Sequence, residues 1–307
     1  MIRILGTIFA GLLGLAFGSF LNVCLSRWPA GESVVTPRSH CRHCSHTLAW
    51  WENVPLLSWL MLGGRCRGCK AWIGWRYPVV EAAVGVLWAA ETWRTFHPEL
   101  LSMTRLPIDD FWFYFGYGVF QMVLFWLLIA LAVLDAEHLW LPNWVTWPGV
   151  GLGVITRSII LLYVLGVNDA SYTELPESDP IVKYGPISVF LAPVWAALAA
   201  AGLILLIRWV YWLVRRREGI GLGDAKLMAL LAAWLGLPQA LFAFAVGVLL
   251  GAGYAMVLLA MPSARRESGP WAASMIPLGT FLCIGGIVSS LWGQRIIAAY
   301  LSWSGLG

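Results

Sequence analysis

Long apolar stretches alternate with short polar ones along most of this chain. A helix needs about 20 apolar residues to cross the hydrocarbon core of a bilayer, and we find eight candidate stretches, of which the sixth is short. Gly236 and Pro238 interrupt the apolar residues at 225–260, which therefore form either two helices or one kinked helix. The predicted spans cover residues 4–25, 78–96, 111–134, 144–165, 187–213, 225–236, 239–260 and 275–300.

Composition supports a membrane environment. Of the 307 residues, 60% are hydrophobic and only 12% are charged, whereas soluble domains carry about 25% charged residues. We therefore expect an all-α integral membrane protein with about eight transmembrane helices, surrounded by the lipid bilayer and without a nucleic-acid partner. The first span has no small-residue cleavage site, so we expect it to be retained.

The basic residues predict an orientation. With eight spans, most of the 20 Lys and Arg residues fall in loops on one side of the membrane. Short loops rich in Lys and Arg remain in the cytoplasm, so this side is predicted to be cytoplasmic and both termini to face outward.

A polar insert at about 26–77 separates the first two spans and contains two CxxC pairs. Four thiolates at this spacing are typical of a tetrahedral zinc site, and a cytoplasmic location argues against disulfides. We therefore predict three parts: a first transmembrane helix at 1–25, a four-cysteine zinc-binding domain at 26–77 and a larger transmembrane domain at 78–307. The predicted ligands are Cys41, Cys44, Cys66 and Cys69.

Two aspartates are predicted to lie at the same membrane surface. Asp135 ends the third apolar stretch, and Asp224 precedes the sixth in the segment "GLGDAKLMALL". Facing carboxylates in apolar surroundings share one proton, so one can deprotonate water while the other polarises a carbonyl. Gly221 and Gly223 leave room for an extended substrate backbone, and Lys226 is a candidate substrate-binding residue.

Other interpretations remain open at this stage. An aspartate just before a helix is often an N-cap, which fits Asp224, and Asp135 can simply be solvated at a helix end. Paired acids also serve proton-coupled transporters, which are not enzymes.

The motifs together resemble the type IV prepilin peptidases, a family of bifunctional leader peptidases and N-methyltransferases. Two of the resembling segments contain the aspartates, and the resemblance implies that Asp135 and Asp224 are catalytic. The chain departs from the usual motifs at Asn143, Leu278 and Thr280. The resembling segments are "GSFLNVCLSRWP", "CRHC", "NVPLLSWLMLGGRCRGC", "WRYPVVE", "LDAEHLWLPN", "GLGDAKLMALLAAWLG" and "IPLGTFLCIGG".

The resemblance implies a location and two reactions. The protein would lie in the bacterial inner membrane with its active site at the cytoplasmic face. It would remove the short basic leader of type IV prepilins or type II secretion pseudopilins and methylate the new N-terminus with S-adenosylmethionine. Asn22 and Glu81 match family motifs and are candidates for the methyltransferase site. A relative with peptidase activity alone is the nearest alternative.

Overall fold

The computed structural model describes residues 1–96, 108–167, 186–217, 221–260 and 277–305. These residues are mostly helical and form no regular strand, which confirms the predicted all-α class. The helices are α1 (Ile2–Arg27), α2 (Leu57–Met61), α3 (Arg76–Thr95), α4 (Ile108–His138), α5 (Asn143–Val167), α6 (Pro186–Arg215), α7 (Leu222–Leu235), α8 (Leu237–Ala260), α9 (Leu278–Val288) and α10 (Gln294–Ser304).

Six helical segments among the described residues are long and apolar enough to cross a membrane, so this is a multi-pass membrane protein. They correspond to α1, α4, α5, α6, α8 and the continuous pair α9–α10, which is joined by a π-helical turn at Ser289–Gly293. Helix α3 and the short helix α7 are not among these six segments. The number of spans therefore stays a prediction.

The region 225–260 forms two helices rather than one kinked helix. Helix α7 ends at Leu235 and α8 begins at Leu237. Between them, Gly236 has a φ of +86°, which L side chains rarely adopt. A glycine is therefore the natural residue at this junction.

The chain divides into two compact units, Met1–Ala130 and Leu131–Gly307. In the first unit, α1 packs along α3 through glycines spaced four residues apart. A Cβ at Gly14 would lie 2.9 Å from the Cα of Gly85, and one at Gly18 would lie 2.7 Å from the Cα of Glu81. Small residues allow helix backbones to approach closely in a membrane. The predicted three-part division stays a prediction.

Helix α7 lies at the centre of the second unit and contacts α5, α6, α8 and α9. Its 14 residues are apolar on nearly all sides, and those from Leu227 to Leu235 are all buried. The Trp234 indole N–H donates to the Gly149 carbonyl of α5 at 2.9 Å. A helix that is hydrophobic all round is stable when protein surrounds it, and a length of about 21 Å is too short for the hydrocarbon core.

Candidate functional site

Asp135 lies in the last turn of α4, where apolar packing buries its carboxylate. Its Oδ2 atom accepts a hydrogen bond of 2.7 Å from the Thr280 amide, in the first turn of α9. The Thr280 hydroxyl lies 3.1 Å from the same oxygen and 3.0 Å from the Ala132 carbonyl oxygen. First-turn amides lack partners within their own helix and carry partial positive charge. Asp135 is therefore an anchored, buried group and not a solvated helix end.

Asp224 is the third residue of α7 and is also buried. The backbone N–H of Gly221 donates to its Oδ2 atom at 3.1 Å. Gly221, and not Asp224, occupies the N-cap position, so the N-cap interpretation of Asp224 is wrong. The carboxylate does stabilise the helix start by accepting this amide, because such amides otherwise lack a partner.

The ends of α4 and α7 hold the two carboxylates within electrostatic range of each other. Asp135 lies close enough to Asp224 for its negative charge to act on that carboxylate. Cys283 of α9, which is completely buried, lies within electrostatic range of both aspartates. Two buried carboxylates that repel each other favour a state in which only one of them is ionised, and such a pair can activate water and protonate a leaving group.

Gly279 makes room for Asp135. A Cβ built on Gly279 would lie 2.9 Å from both the Cγ and the Oδ2 atoms of Asp135, closer than real Cβ contacts. Any side chain at this position would therefore displace the Asp135 carboxylate. The glycine allows the first turn of α9 to approach the carboxylate and to donate the Thr280 amide to it.

The other residues predicted beside the aspartates have protein contacts of their own. A Cβ on Gly223 would lie 3.0 Å from Leu141 Cδ1, and one on Gly221 would lie 3.4 Å from Asp224 Oδ2. Gly223 thus permits close packing at the start of α7, whereas the distance at Gly221 is an ordinary van der Waals contact. The Lys226 ammonium donates a hydrogen bond to the side-chain oxygen of Asn143 at the start of α5.

The four predicted metal ligands converge in the first unit. The sulfur atoms of Cys41, Cys44, Cys66 and Cys69 all lie within 4.8 Å of one another. The Cys41–Cys69 and Cys44–Cys66 sulfur distances are 3.8 and 3.9 Å. Tetrahedral coordination with metal–sulfur bonds of about 2.3 Å places sulfurs about 3.8 Å apart. The cluster therefore fits a tetrahedral metal ion.

Two hairpins with equivalent hydrogen bonds present these sulfurs. In the first, the Cys41 amide donates to the His46 carbonyl and the Ser45 amide donates to the Cys41 carbonyl, both at 2.9 Å. In the second, Cys66 bonds to Ala71 and Lys70 bonds to Cys66 in the same way. The repeated CxxC spacing thus folds into two matching knuckles that face each other.

Asn22 and Glu81, the predicted methyltransferase residues, lie on α1 and α3 in the first unit. The Asn22 amide group donates to the Tyr77 carbonyl at 2.9 Å, and Glu81 accepts the Leu56 amide at 2.8 Å. Both residues are buried, and both line a cavity of about 590 Å³. The structure therefore places them at one cavity, which extends to the cysteine-containing insert.

Comparisons with known proteins match almost the whole chain. A model of the bacterial peptidase A24 N-terminal domain matches residues 12–95, and a model of the type IV leader peptidase family matches residues 122–256. A prepilin leader peptidase/N-methyltransferase of Stutzerimonas stutzeri is 32% identical over 96% of this chain and 93% of its own length. The chain belongs to the type IV leader peptidase family.

Other members of the type IV leader peptidase family give similar matches. The prepilin leader peptidase/N-methyltransferase of Pseudomonas aeruginosa is 32% identical over 96% of this chain and 93% of its own length. The protein of that name from Myxococcus xanthus is 36% identical over 86% of this chain and 65% of its own length. No solved structure matches the chain.

Sequence reasoning identified the aspartates of this family member but missed the groups that hold them. Gly279 and Thr280 belong to the segment "IPLGTFLCIGG", of which Ile276 lies outside the described residues. Thr280 stood out only as a departure from the family motif. A glycine within the last apolar stretch is a weak signal of close helix approach, but it does not identify the partner.

Proposed function

We propose that this protein is an aspartic prepilin leader peptidase of the bacterial inner membrane that also methylates the N-terminus it creates. The observation that carries the peptidase part is the buried pair Asp135 and Asp224, held by the first turns of α9 and α7. Membership of the type IV leader peptidase family and the names of the relatives support both parts.

In the proposed hydrolysis, the dyad holds one proton. We assign the ionised role to Asp135, because its Oδ2 atom accepts the Thr280 amide at 2.7 Å and also lies 3.1 Å from the Thr280 hydroxyl, whereas the bond from the Gly221 amide to Asp224 is longer, at 3.1 Å. Asp135 takes a proton from water as the oxygen attacks the peptide carbonyl carbon, and Asp224 gives its proton to the carbonyl oxygen. The tetrahedral intermediate then collapses: the C–N bond breaks, the leaving nitrogen takes the proton held by Asp135, and one hydroxyl of the intermediate returns its proton to Asp224 as the new C=O bond forms. A carboxylic acid and an amine result.

We place the substrate backbone beside Gly221 and Gly223, at the start of the helix that carries Asp224. Lys226 contributes a positive charge near the substrate carbonyl, and Asn143 holds its ammonium group in place. These assignments rest on the position of the three residues within one turn of Asp224.

The substrates are precursors of type IV pilins or type II secretion pseudopilins. In this proposal, the hydrophobic helix of the precursor lies in the bilayer and its basic leader lies in the cytoplasm. The distribution of Lys and Arg along the chain supports a cytoplasmic position for the loops that border Asp135 and Asp224. The scissile bond would then meet the dyad at the cytoplasmic membrane surface.

For the second reaction we propose S-adenosylmethionine as the methyl donor. When bound, it supplies a methyl group on a sulfonium sulfur, which leaves as a neutral thioether when an amine lone pair displaces it and the amine nitrogen loses a proton. Asn22 and Glu81 are the residues that we assign to this reaction, because both line a cavity of suitable size in the first unit.

We propose that the metal is zinc and that its role is structural. Metal analysis of the purified protein should find about one zinc per chain, because four thiolates complete a closed tetrahedral shell. The Cys41→Ser variant should lose the zinc, and the insert should unfold with it. The matched control is Cys24→Ala, which removes a buried thiol of α1 outside the cluster and should retain the metal. Protein purified under reducing conditions without zinc would contradict this assignment.

The experiment that tests the proposed function is co-expression with candidate prepilins, followed by mass measurement of the pilin N-terminus. We expect a mass that lacks the leader and carries one additional methyl group. Loss of the leader without the methyl group would indicate a peptidase alone. An intact leader with every precursor, together with transport that depends on a proton gradient, would favour a transporter and contradict the proposal.

A further inference from the structure

Three tryptophans of the cysteine-containing insert form one cluster at the start of α3. The ring centroids of Trp59 and Trp75 lie 4.6 Å apart, and each of these rings lies within 6.0 Å of the Trp72 ring. Gly64, with a φ of +67°, permits this packing, because a Cβ there would lie 2.8 Å from carbon atoms of both Trp59 and Trp72. The Trp59 indole N–H donates to the Ile73 carbonyl at 3.1 Å. The cluster is therefore built into the fold of the insert.

Much apolar surface in and around this cluster remains uncovered. Trp72 and Trp75 are 52% and 62% exposed. The short helix α2, which carries the third tryptophan, exposes more than half of each of its other large apolar residues. A group of exposed apolar side chains marks a surface that contacts a membrane or another molecule. We call this group the tryptophan patch, and its members are Leu57, Trp59, Leu60, Met61, Trp72 and Trp75.

The tryptophan patch lies at the level where α1 ends. Helix α1 is apolar and long enough to cross a membrane, and α3 packs along it. Arg76, the residue after Trp75, donates a hydrogen bond to the hydroxyl of Ser26 in the last turn of α1, at 2.7 Å. One exposed face of α3 continues from Trp75 through Val79 and Val86, at helical spacing. The patch is therefore continuous with an apolar helix face beside a predicted membrane span.

The charges around the tryptophan patch are positive. Residues 53–80 contain four Lys or Arg residues and no Asp or Glu. Arg65 forms an isolated antiparallel bridge with Trp72 in the second knuckle, and paired residues of this kind present their side chains on the same face. Lys70 lies in the turn of the same knuckle. Both cations are exposed, and within the described part of the chain neither takes part in an ion pair. They therefore remain free to bind an anionic group.

We infer that the cysteine-containing insert binds the surface of the lipid bilayer through the tryptophan patch, with anionic phospholipid as its ligand. The indole rings and the apolar side chains of α2 enter the headgroup region, where tryptophan is favoured, and Arg65 and Lys70 bind lipid phosphates. A bilayer fits better than a protein partner, because the patch is continuous with the exposed face of α3 and carries only positive charge. This role is separate from the two proposed reactions and from the metal site.

The test uses the full-length protein in vesicles of equal parts phosphatidylcholine and phosphatidylglycerol. Either lipid carries a diazirine in its acyl chain near the glycerol, so that light attaches it to neighbouring residues, and peptide mapping locates the label. We expect label on residues 57–75 as well as on α1, and more from phosphatidylglycerol on 57–75. Leu60→Ser combined with Met61→Ser should lower the label on 57–75 at least about threefold, because it removes buried apolar area at the membrane. Arg65→Gln combined with Lys70→Gln should remove the preference for phosphatidylglycerol.

Trp50→Ser is the matched control, because it removes an exposed apolar side chain of the insert that lies outside the tryptophan patch. It should keep the wild-type label on residues 57–75, and the label on α1 should be the same in every variant. Metal content and the thermal midpoint show that each variant is folded. Wild-type protein labelled on α1 but not on 57–75, or equal label from both lipids on 57–75, would overturn the inference. Benzoylphenylalanine in place of Met61 should cross-link to lipid, and a cross-link to a protein chain instead would assign the patch to a protein partner and contradict it.

Discussion

Asp135→Asn and Asp224→Asn are each expected to lower the rate of leader cleavage by at least about a thousandfold. An amide cannot take a proton from water or give one to the carbonyl oxygen, so either replacement removes one of the two proton transfers. The carboxamide has nearly the shape of the carboxylate, so both variants should remain folded. Mass measurement of a co-expressed prepilin should show the intact leader.

Glu137→Gln is the control for this pair, since it removes another carboxylate from the same end of α4. Glu137 is more than one-third exposed and lies 3.9 Å from His138, so we expect cleavage at the wild-type rate. Normal cleavage by either aspartate variant would exclude the dyad mechanism.

Gly279→Ala is expected to reduce leader cleavage by about a hundredfold while leaving the protein folded. The added Cβ would meet the end of the Asp135 side chain and not a backbone atom. The carboxylate can move away at little cost to stability, but a misplacement of about 1 Å at a reacting group can cost about a hundredfold in rate. Cleavage kinetics and thermal unfolding of the same preparations measure the two effects separately.

Three further variants calibrate this result. Thr280→Val should lose less activity than Gly279→Ala, since the amide that donates to Asp135 remains, and Thr280→Ser should restore the hydroxyl contribution. Gly202→Ala adds a methyl group to α6 where no atom lies within 4 Å, so it should cleave normally. Full activity in Gly279→Ala would show that the position of Asp135 is not critical.

The amino-acid sequence predicts most of the helices because lipid imposes a simple rule on apolar length. The sequence is less informative about α7, because an apolar helix has the same composition whether lipid or protein surrounds it. Burial of the helix from Leu227 to Leu235 comes from its neighbours α5, α6, α8 and α9, which no local pattern specifies.

The candidate sites likewise combine features that the local sequence predicts with features that only helix packing determines. The CxxC spacing predicts the metal cluster because the ligands of each pair are close in sequence. The support of Asp135 by Thr280, 145 residues away, depends on how α9 packs against α4. The sequence also does not predict the cavity, because Asn22, Glu52 and Glu81 come from three separate segments.

The two matching knuckles have a consequence for the cavity. The Cys44–Cys66 contact joins residues that are 22 positions apart, and the chain between them contains Glu52 and Trp59. A metal ion bound by the four cysteines would hold together a loop that forms part of the cavity wall, and chelation would release that loop. Removal of such an ion would therefore disturb the cavity, whereas neither aspartate belongs to this loop.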